Sequence, residues 1–248
     1  MKSLILKIFL GFTLIGFALS VEGQSRNIDS TAISILDRMS LLIGSLNSVS
    51  VKINTNYDIR NKALGLVKHS NVHELFLHGP DKLFLASAGD KGSRHFYYNG
   101  KSLTYYSDEN NQYAEIKAPE NLIGMIDSIH NQYGIEFPGA DFFYPKFVED
   151  LITESTTLKY LGTTLVDGKE SFHIAGMTKD KSFQFWIAKE VYYLPLKLVI
   201  VYTQKDLNPQ FESLFTDWKI NPSIPDALFE FSAPPNAHKI KLIAHKPL

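Results

Sequence analysis

Residues 94–107 read Arg94-His95-Phe96-Tyr97-Tyr98-Asn99-Gly100-Lys101-Ser102-Leu103-Thr104-Tyr105-Tyr106-Ser107. Two short aromatic-rich runs flank an Asn-Gly pair. Aromatic side chains suit the pleated, half-buried surface of a strand. Asn-Gly is the pair that a two-residue type I′ turn selects, because both central residues need positive φ. The stretch therefore predicts an antiparallel hairpin. Its neighbours repeat the theme. Upstream, runs at 82–88 and 72–78 are separated by Gly79-Pro80-Asp81, and Gly89 to Gly92 closes the nearer one. Downstream, Asp108 to Asn111 divides 102–107 from 112–117. Short strands punctuated at such regular spacing read as an antiparallel meander, not as alternating strands and helices.

Outside this block the pattern changes twice. Val49, Val51 and Ile53 alternate with Ser50, Lys52 and Asn54, a strand period. Before them, residues 28–47 predict one amphipathic helix. Ala32, Ile35, Met39, Leu42 and Leu46 form its stripe, widened by Ile33, Leu36 and Ile43, and Asp29 or Ser30 can cap it. After residue 117, Pro119 suits the first turn of a helix through about Tyr133, and Asp141 or Pro145 opens a shorter one to about Ile152. Strands resume at 156–166, 169–177, 182–188, 194–203, 210–220, 228–232 and 238–243, with Asp167-Gly168 as a second hairpin turn. About twelve strands cannot stay a flat open sheet. The expected fold class is α+β: a strongly curved antiparallel sheet, an unclosed β-barrel, with helices covering its concave face.

The chain has 248 residues, 44% of them hydrophobic and 21% charged, with a formal net charge of -1 and no cysteine. That balance excludes a disordered chain and gives no global attraction to nucleic acid or to an anionic membrane. The lack of cysteine excludes a disulfide framework, a thiol nucleophile and a lipid-modified N-terminus. Lys2 and Lys7 followed by the uncharged run Ile8 to Leu19 predict a secretory signal peptide. Val21-Glu22-Gly23 places cleavage after Gly23, with Ser20 as the alternative. Removing residues 1–23 takes away two lysines and one glutamate, so the net charge becomes -2. The expectation is a periplasmic protein with a signal peptide at 1–23 and one domain over 24–248. An exported domain of this size without disulfides must rely on an ordinary apolar core.

Chemical motifs are scarce. His73-Glu74-Leu75-Phe76-Leu77-His78 has one residue too many for a zinc protease helix, and its two histidines should point to opposite faces of a strand. His69 and His73 could share a face, but no carboxylate partner is evident, and we expect no metal. There is no Gly-x-Ser-x-Gly elbow and no phosphate loop. Asp127, Asp141 and Asp217 could converge only by tertiary accident, and His173 reads as a hydrogen-bonded strand residue. No catalytic residue and no cofactor are expected. The aromatics can be plain core or can line a cavity between curved sheet and helices. The candidate lining on the first meander is Phe84, Phe96, Tyr98, Leu103 and Tyr105. On the second it is Phe183, Phe185, Ile187, Leu196, Leu198 and Ile200.

Several stretches together resemble a bacterial family of predicted periplasmic proteins, domain of unknown function 2092. They are Phe96 to Thr104, Tyr133-Gly134-Ile135 leading to Pro138 and Ala140-Asp141, Tyr160-Leu161-Gly162, Asp167-Gly168-Lys169 with His173, Gln184-Phe185-Trp186-Ile187, Leu194 to Ile200, Pro209-Gln210-Phe211, Trp218, and Phe229-Glu230-Phe231 with Pro235 and Ala237. Ser171 and Leu196 depart from the family pattern. The resemblance implies a fold similar to the lipoprotein carriers LolA and LolB, whose unclosed barrel holds acyl chains in an apolar groove. It implies a non-enzymatic carrier whose partner is a lipid or other hydrophobic molecule, with helices 28–47 and 119–133 moving as a lid. Membrane contact would be transient and nucleic acid would play no part. Two rivals are an envelope protein-interaction or sensor module sharing the fold, and a hydrolase on an apolar or glycan substrate.

Overall fold

A computed structural model describes residues 26–244. The expected signal peptide lies outside the described residues. The chain forms two antiparallel meanders joined edge to edge. The first comprises β2 (Ser48–Asn61), β3 (Gly65–His78), β4 (Lys82–Gly89), β5 (Gly92–Tyr98), β6 (Ser102–Ser107) and β7 (Gln112–Lys117). The second comprises β8 (Thr157–Val166), β9 (Lys169–Met177), β10 (Ser182–Ala188), β11 (Pro195–Val201) and β12 (Gln210–Ile220). β12 pairs with β2, which fuses them. Two-residue strands, β1 (Asn27–Ile28) and β13 (His238–Lys239), run parallel to β8 and β7 at the two edges. The result is a 13-stranded sheet that does not close. It is antiparallel except at those two edge strands.

The strand alternation sorts side chains to two faces. Val49, Val51 and Ile53 of β2, Leu83 and Leu85 of β4, and Phe183, Phe185 and Ile187 of β10 are buried on the concave side. Three helices lie there. α1 (Ser30–Gly44) is capped by Asp29, whose Oδ1 accepts from Thr31 N at 2.8 Å. Its other oxygen accepts from Tyr160 N at 3.2 Å and so ties the helix start to β8. α1 buries Ala32, Ile35, Leu36, Met39 and Ile43. α2 (Leu122–Tyr133) starts at Asn121, not at Pro119: the Asn121 side chain accepts from Gly124 N at 2.8 Å. α3 (Phe147–Glu154) follows a 3-10 turn at Ala140–Phe143. Phe142 of that turn meets Phe147, Phe185 and Phe215 edge-on at 5.5, 6.1 and 5.5 Å. Such geometry suits the ring quadrupole. It fills the concave side of the β8–β12 half.

Three sequence expectations change. Asp167-Gly168 is a two-residue turn with positive φ at both positions (48° and 77°), as type I′ requires. Asn99-Gly100 is not: only Gly100 is left-handed (φ 84°). Asn99 instead accepts from the backbone N–H of Lys101 and Ser102 at 3.2 and 3.1 Å, which closes a three-residue loop. The run 228–232 forms no strand: it continues from the 3-10 turn Asp226–Phe229 as irregular chain over the outer face of the sheet. Of 238–243 only His238–Lys239 pairs as a strand.

Candidate functional site

The β8–β12 half of the concave face is filled, whereas in the β2–β7 half only the deeper rows are buried. A cavity of about 610 Å³ remains there. The register explains its chemistry. Residues paired across neighbouring strands form rows, and successive rows on one face are two residues apart, about 7 Å. The deepest row is Leu77, Leu83, Tyr98, Leu103 and Ile116. The next is Leu75, Leu85, Phe96, Tyr105 and Ala114. The third is His73, Ser87, Arg94, Ser107 and Gln112. Beyond it come Asn71 and the β4–β5 turn with Lys91. The concave surface therefore passes from apolar to polar and basic toward one end of the strands.

The cavity sits at this transition. Leu85, Phe96 and Tyr105 form its apolar floor, and Ser87, Arg94 and Ser107 its polar side. Its roof is the segment after α2, including Tyr133, Ile135 and Pro138, together with Ile240, Leu242 and Ile243 of the C-terminal segment. Gly134 (φ 65°) ends α2 in a left-handed cap and turns the chain across the sheet. Phe137 then packs edge-on against Phe96 at 5.6 Å and fixes the roof to the floor. The C-terminal segment is held by β13, by Ile240 N donating to Tyr113 O at 2.8 Å, and by a Lys239–Glu115 ion pair at 2.8 Å.

His73 and Ser107 are the buried polar members of the third row. His73 Nε2 lies 3.0 Å from Thr55 Oγ1 and its Nδ1 lies 2.7 Å from Ser87 Oγ. With no carboxylate partner, burial drives its pKa from 6.5 to about 4, so it is neutral at physiological pH. Asp141 stands on the 3-10 turn, where desolvation raises its carboxyl pKa against the opposing pull of Lys181. Arg94 and Lys91 form no ion pair among the described residues, although Arg94 donates to Lys91 O at 3.2 Å.

The structure distributes the candidate lining residues over three environments. Phe96 and Tyr105 line the cavity. Tyr98 and Leu103 lie one row deeper, fully buried, with Tyr98 donating its hydroxyl to Pro119 O at 2.6 Å. Phe183, Phe185, Ile187 and Leu198 belong to the core under the helices, Ile200 packs against it, and Leu196 is buried outside that contiguous cluster. Phe84 faces the other way. Its parity is opposite to Leu83 and Leu85, and it joins Phe76 and Tyr97 on the outer face. His78 is also on the outer face, near Phe229, while His73 faces inward. The three carboxylates do not form one cluster: Asp127 accepts from Tyr144 Oη at 2.6 Å, Asp141 acts on the same hydroxyl through space, and Asp217 pairs with Lys52 at 3.4 Å. His173 bonds Gln184 at 2.9 Å and stacks on Trp186. Among the described residues no cluster of His, Asp or Glu could hold a metal ion. Roof residues 134–138 carry no periodic signal, whereas Ile240 and Leu242 alternate with Lys239 and Lys241 and read as a strand; sequence reading missed both segments as lining. Leu85 was legible from its alternation with Phe84.

The sheet is strongly curved and incompletely closed, with helices and an open pocket on its concave side. The chain belongs to the family of predicted periplasmic proteins DUF2092, whose model matches residues 32–243. Its localisation is accordingly periplasmic. Among solved structures, the chain is similar to the Mycobacterium tuberculosis lipoprotein LppX, with TM-score 0.52 and 15% identity, covering 79% of this chain and 98% of that one. A LolA superfamily protein from Nitrosomonas europaea matches with TM-score 0.35 and 9% identity over 81% and 97% of the two chains. MucB in its complex with MucA from Pseudomonas aeruginosa matches with TM-score 0.44 and 14% identity over 82% and 62%. At 15% identity the likeness to LppX is one of fold. No curated protein matches the chain by sequence.

Proposed function

We propose that the protein is a non-enzymatic periplasmic binding or carrier protein for an amphipathic ligand, with residues 24–248 acting as one unit. The observation that carries this reading is the order of the rows. An acyl or other apolar part would lie over Leu85, Phe96 and Tyr105, and a polar head would lie at Ser87, Arg94 and Ser107. The cavity volume of about 610 Å³ suits a small amphiphile. Apolar burial at about 25 cal/mol per Å² supplies the driving force, so no charged contact is needed for the tail. The separation of Asp127, Asp217 and His173 supports a role without catalysis. The residues buried from α1 make it part of the core, so the movable cover in this reading is the roof at 133–138 and 240–243.

One observation favours a second reading. The β8–β12 half of the groove is filled by Phe142 and Phe147, as an interaction module with a self-filled groove would have it. The open β2–β7 half favours the carrier. Native mass spectrometry of gently purified protein separates them. The carrier reading expects an adduct of lipid mass that is lost on delipidation and regained on adding fatty acid. A clean apo mass that no added amphiphile changes would overturn it.

A further inference from the structure

We propose that the end of the sheet bearing the cavity mouth docks on an anionic lipid surface, with Leu64 and Leu207 as the inserting side chains. In the antiparallel order β9-β10-β11-β12-β2-β3-β4-β5-β6-β7, alternate turns lie at the same end. The β2–β3 turn, the β11–β12 loop, and the mouth residues Lys91 and Asn110 therefore share one end. There Leu64 is 75% exposed and Leu207 is 53% exposed. The two tips touch: a Cβ at Gly65 would stand 3.9 Å from Leu207 Cδ1. They therefore present one apolar patch.

The patch is built, not frayed. Asn61 Oδ1 accepts from Ala63 N and Leu64 N at 2.9 and 3.1 Å. Arg60 and Asp206 clamp the tips together at 2.7 Å. Within the second loop, Asn208 N donates to Lys205 O at 3.0 Å. Leu207 itself is left-handed, with φ 65°. A branched apolar residue pays for that conformation, and here it also points at water. A fold that holds a leucine so has given up stability at the position where an apolar surface would restore it.

The surrounding charge identifies the surface. Asp58 is taken by Lys68 at 2.8 Å and by Gln210 N at 2.9 Å, and Asp206 by Arg60. Lys62 and Lys205 form no ion pair among the described residues, and Lys205 lies 4.1 Å from the Tyr202 ring centre. Asp90, Asp108 and Glu109 at this end keep their charge, bonded to His69, His95 and Ser93 N, but with Asp58, Asp180 and Asp206 they are outnumbered there by Arg60, Lys62, Lys68, Lys91, Arg94, Lys179, Lys181 and Lys205. Asp180 is flanked by Lys179 and Lys181 and accepts from Thr178 Oγ1. Two leucines beside two free lysines match the boundary between phosphate headgroups and acyl chains. A ligand at the mouth would then face the bilayer. The docking does not depend on the cavity being a ligand site, because neither leucine lines it.

Flotation with vesicles tests the idea, using the protein from residue 24. Vesicles of equal parts phosphatidylcholine and phosphatidylglycerol should carry the protein, weakly and less at high salt. Vesicles of phosphatidylcholine alone should not. Lys62→Glu with Lys205→Glu should weaken binding at least about tenfold, since each lysine near an anionic surface contributes about fivefold. Leu207→Asn is the discriminating variant. Asparagine accepts the left-handed backbone, so Tm should rise while vesicle binding falls. The proposal is overturned by no flotation of the unaltered protein on phosphatidylglycerol, or by flotation that none of these substitutions changes. It is equally overturned if the patch proves to be a contact between two copies, seen as a dimer in light scattering that Leu64→Asp dissolves. Fatty-acid uptake unaffected by these variants would keep this outcome separate from that of the cavity.

Discussion

Replacing His73 by glutamine should remove most of the acid sensitivity of folding between pH 6.5 and pH 4. In the folded protein His73 is buried between Thr55 and Ser87, and its pKa falls to about 4. In the unfolded chain it returns to about 6.5. As pH drops through that window, the unfolded chain takes up a proton that the folded protein refuses. Stability is therefore fully present above pH 6.5 and decreases until about pH 4, where both states are protonated. The gap corresponds to roughly 3 kcal/mol, a large share of the stability of an ordinary domain. Asp58, Asp90 and Asp226 have lowered pKa values and add their loss below the ordinary carboxylate range, outside this window. Asp141 has a raised pKa and acts in the opposite sense, losing stability as pH rises through its folded value. Subtracting His73→Gln from the unaltered protein cancels all four. The assay is guanidinium unfolding at closely spaced pH values. His73→Gln should be less stable at pH 7.5, through its imperfect replacement of two hydrogen bonds, but nearly flat from 6.5 to 4. Parallel profiles for the two proteins would refute the reasoning, because His73 would then not be shielded from water at the cavity floor.

Three further outcomes follow from packing. Phe142→Ala removes the ring shared by Phe147, Phe185 and Phe215, and should cost about 3–5 kcal/mol in chemical unfolding. Gly176→Ala places a Cβ against the Phe183 ring and 3.0 Å from Thr157 O, so it should lower stability by about 1–3 kcal/mol, read as a lower Tm. Tyr98→Phe leaves the half-buried Pro119 carbonyl without its 2.6 Å donor, and should cost about 0.5–1.5 kcal/mol with the circular dichroism spectrum unchanged.

The fold was legible where one face of a strand is uniformly apolar. Leu83 and Leu85, or Phe183, Phe185 and Ile187, give alternation that survives inspection, and Asp167-Gly168 marks its turn by the backbone it demands. The β2–β3 hairpin shows where that legibility stops. Its pairing continues to Asn61 and Gly65, far beyond residues 54 and 72. Alternation fades there because Thr55, Tyr57, His69 and Asn71 make the concave side itself polar. The same loss of contrast hid the site. A polar cavity wall breaks the pattern that identifies a strand, so the lining residues sit where the sequence signal is weakest. Phe84 illustrates the converse. Aromatic content suggested a lining role, but parity puts it on the outer face, and position along the strand outranks residue type. Phe229 and Phe231 mimic a strand period because separate anchors on the outer face hold them, one buried and one against Tyr97, Tyr106 and Tyr113.

Photo-crosslinking with a diazirine-bearing fatty acid tests the central claim most directly, because it reports both uptake and place. Saturable labelling, assigned residue by residue, should be confined to Leu85, Phe96, Tyr105, Ile135 and Ile240 to Ile243 and be competed by unlabelled fatty acid. Labelling that does not saturate, or that falls on Phe76, Phe84 and Tyr97 of the outer face, would contradict it.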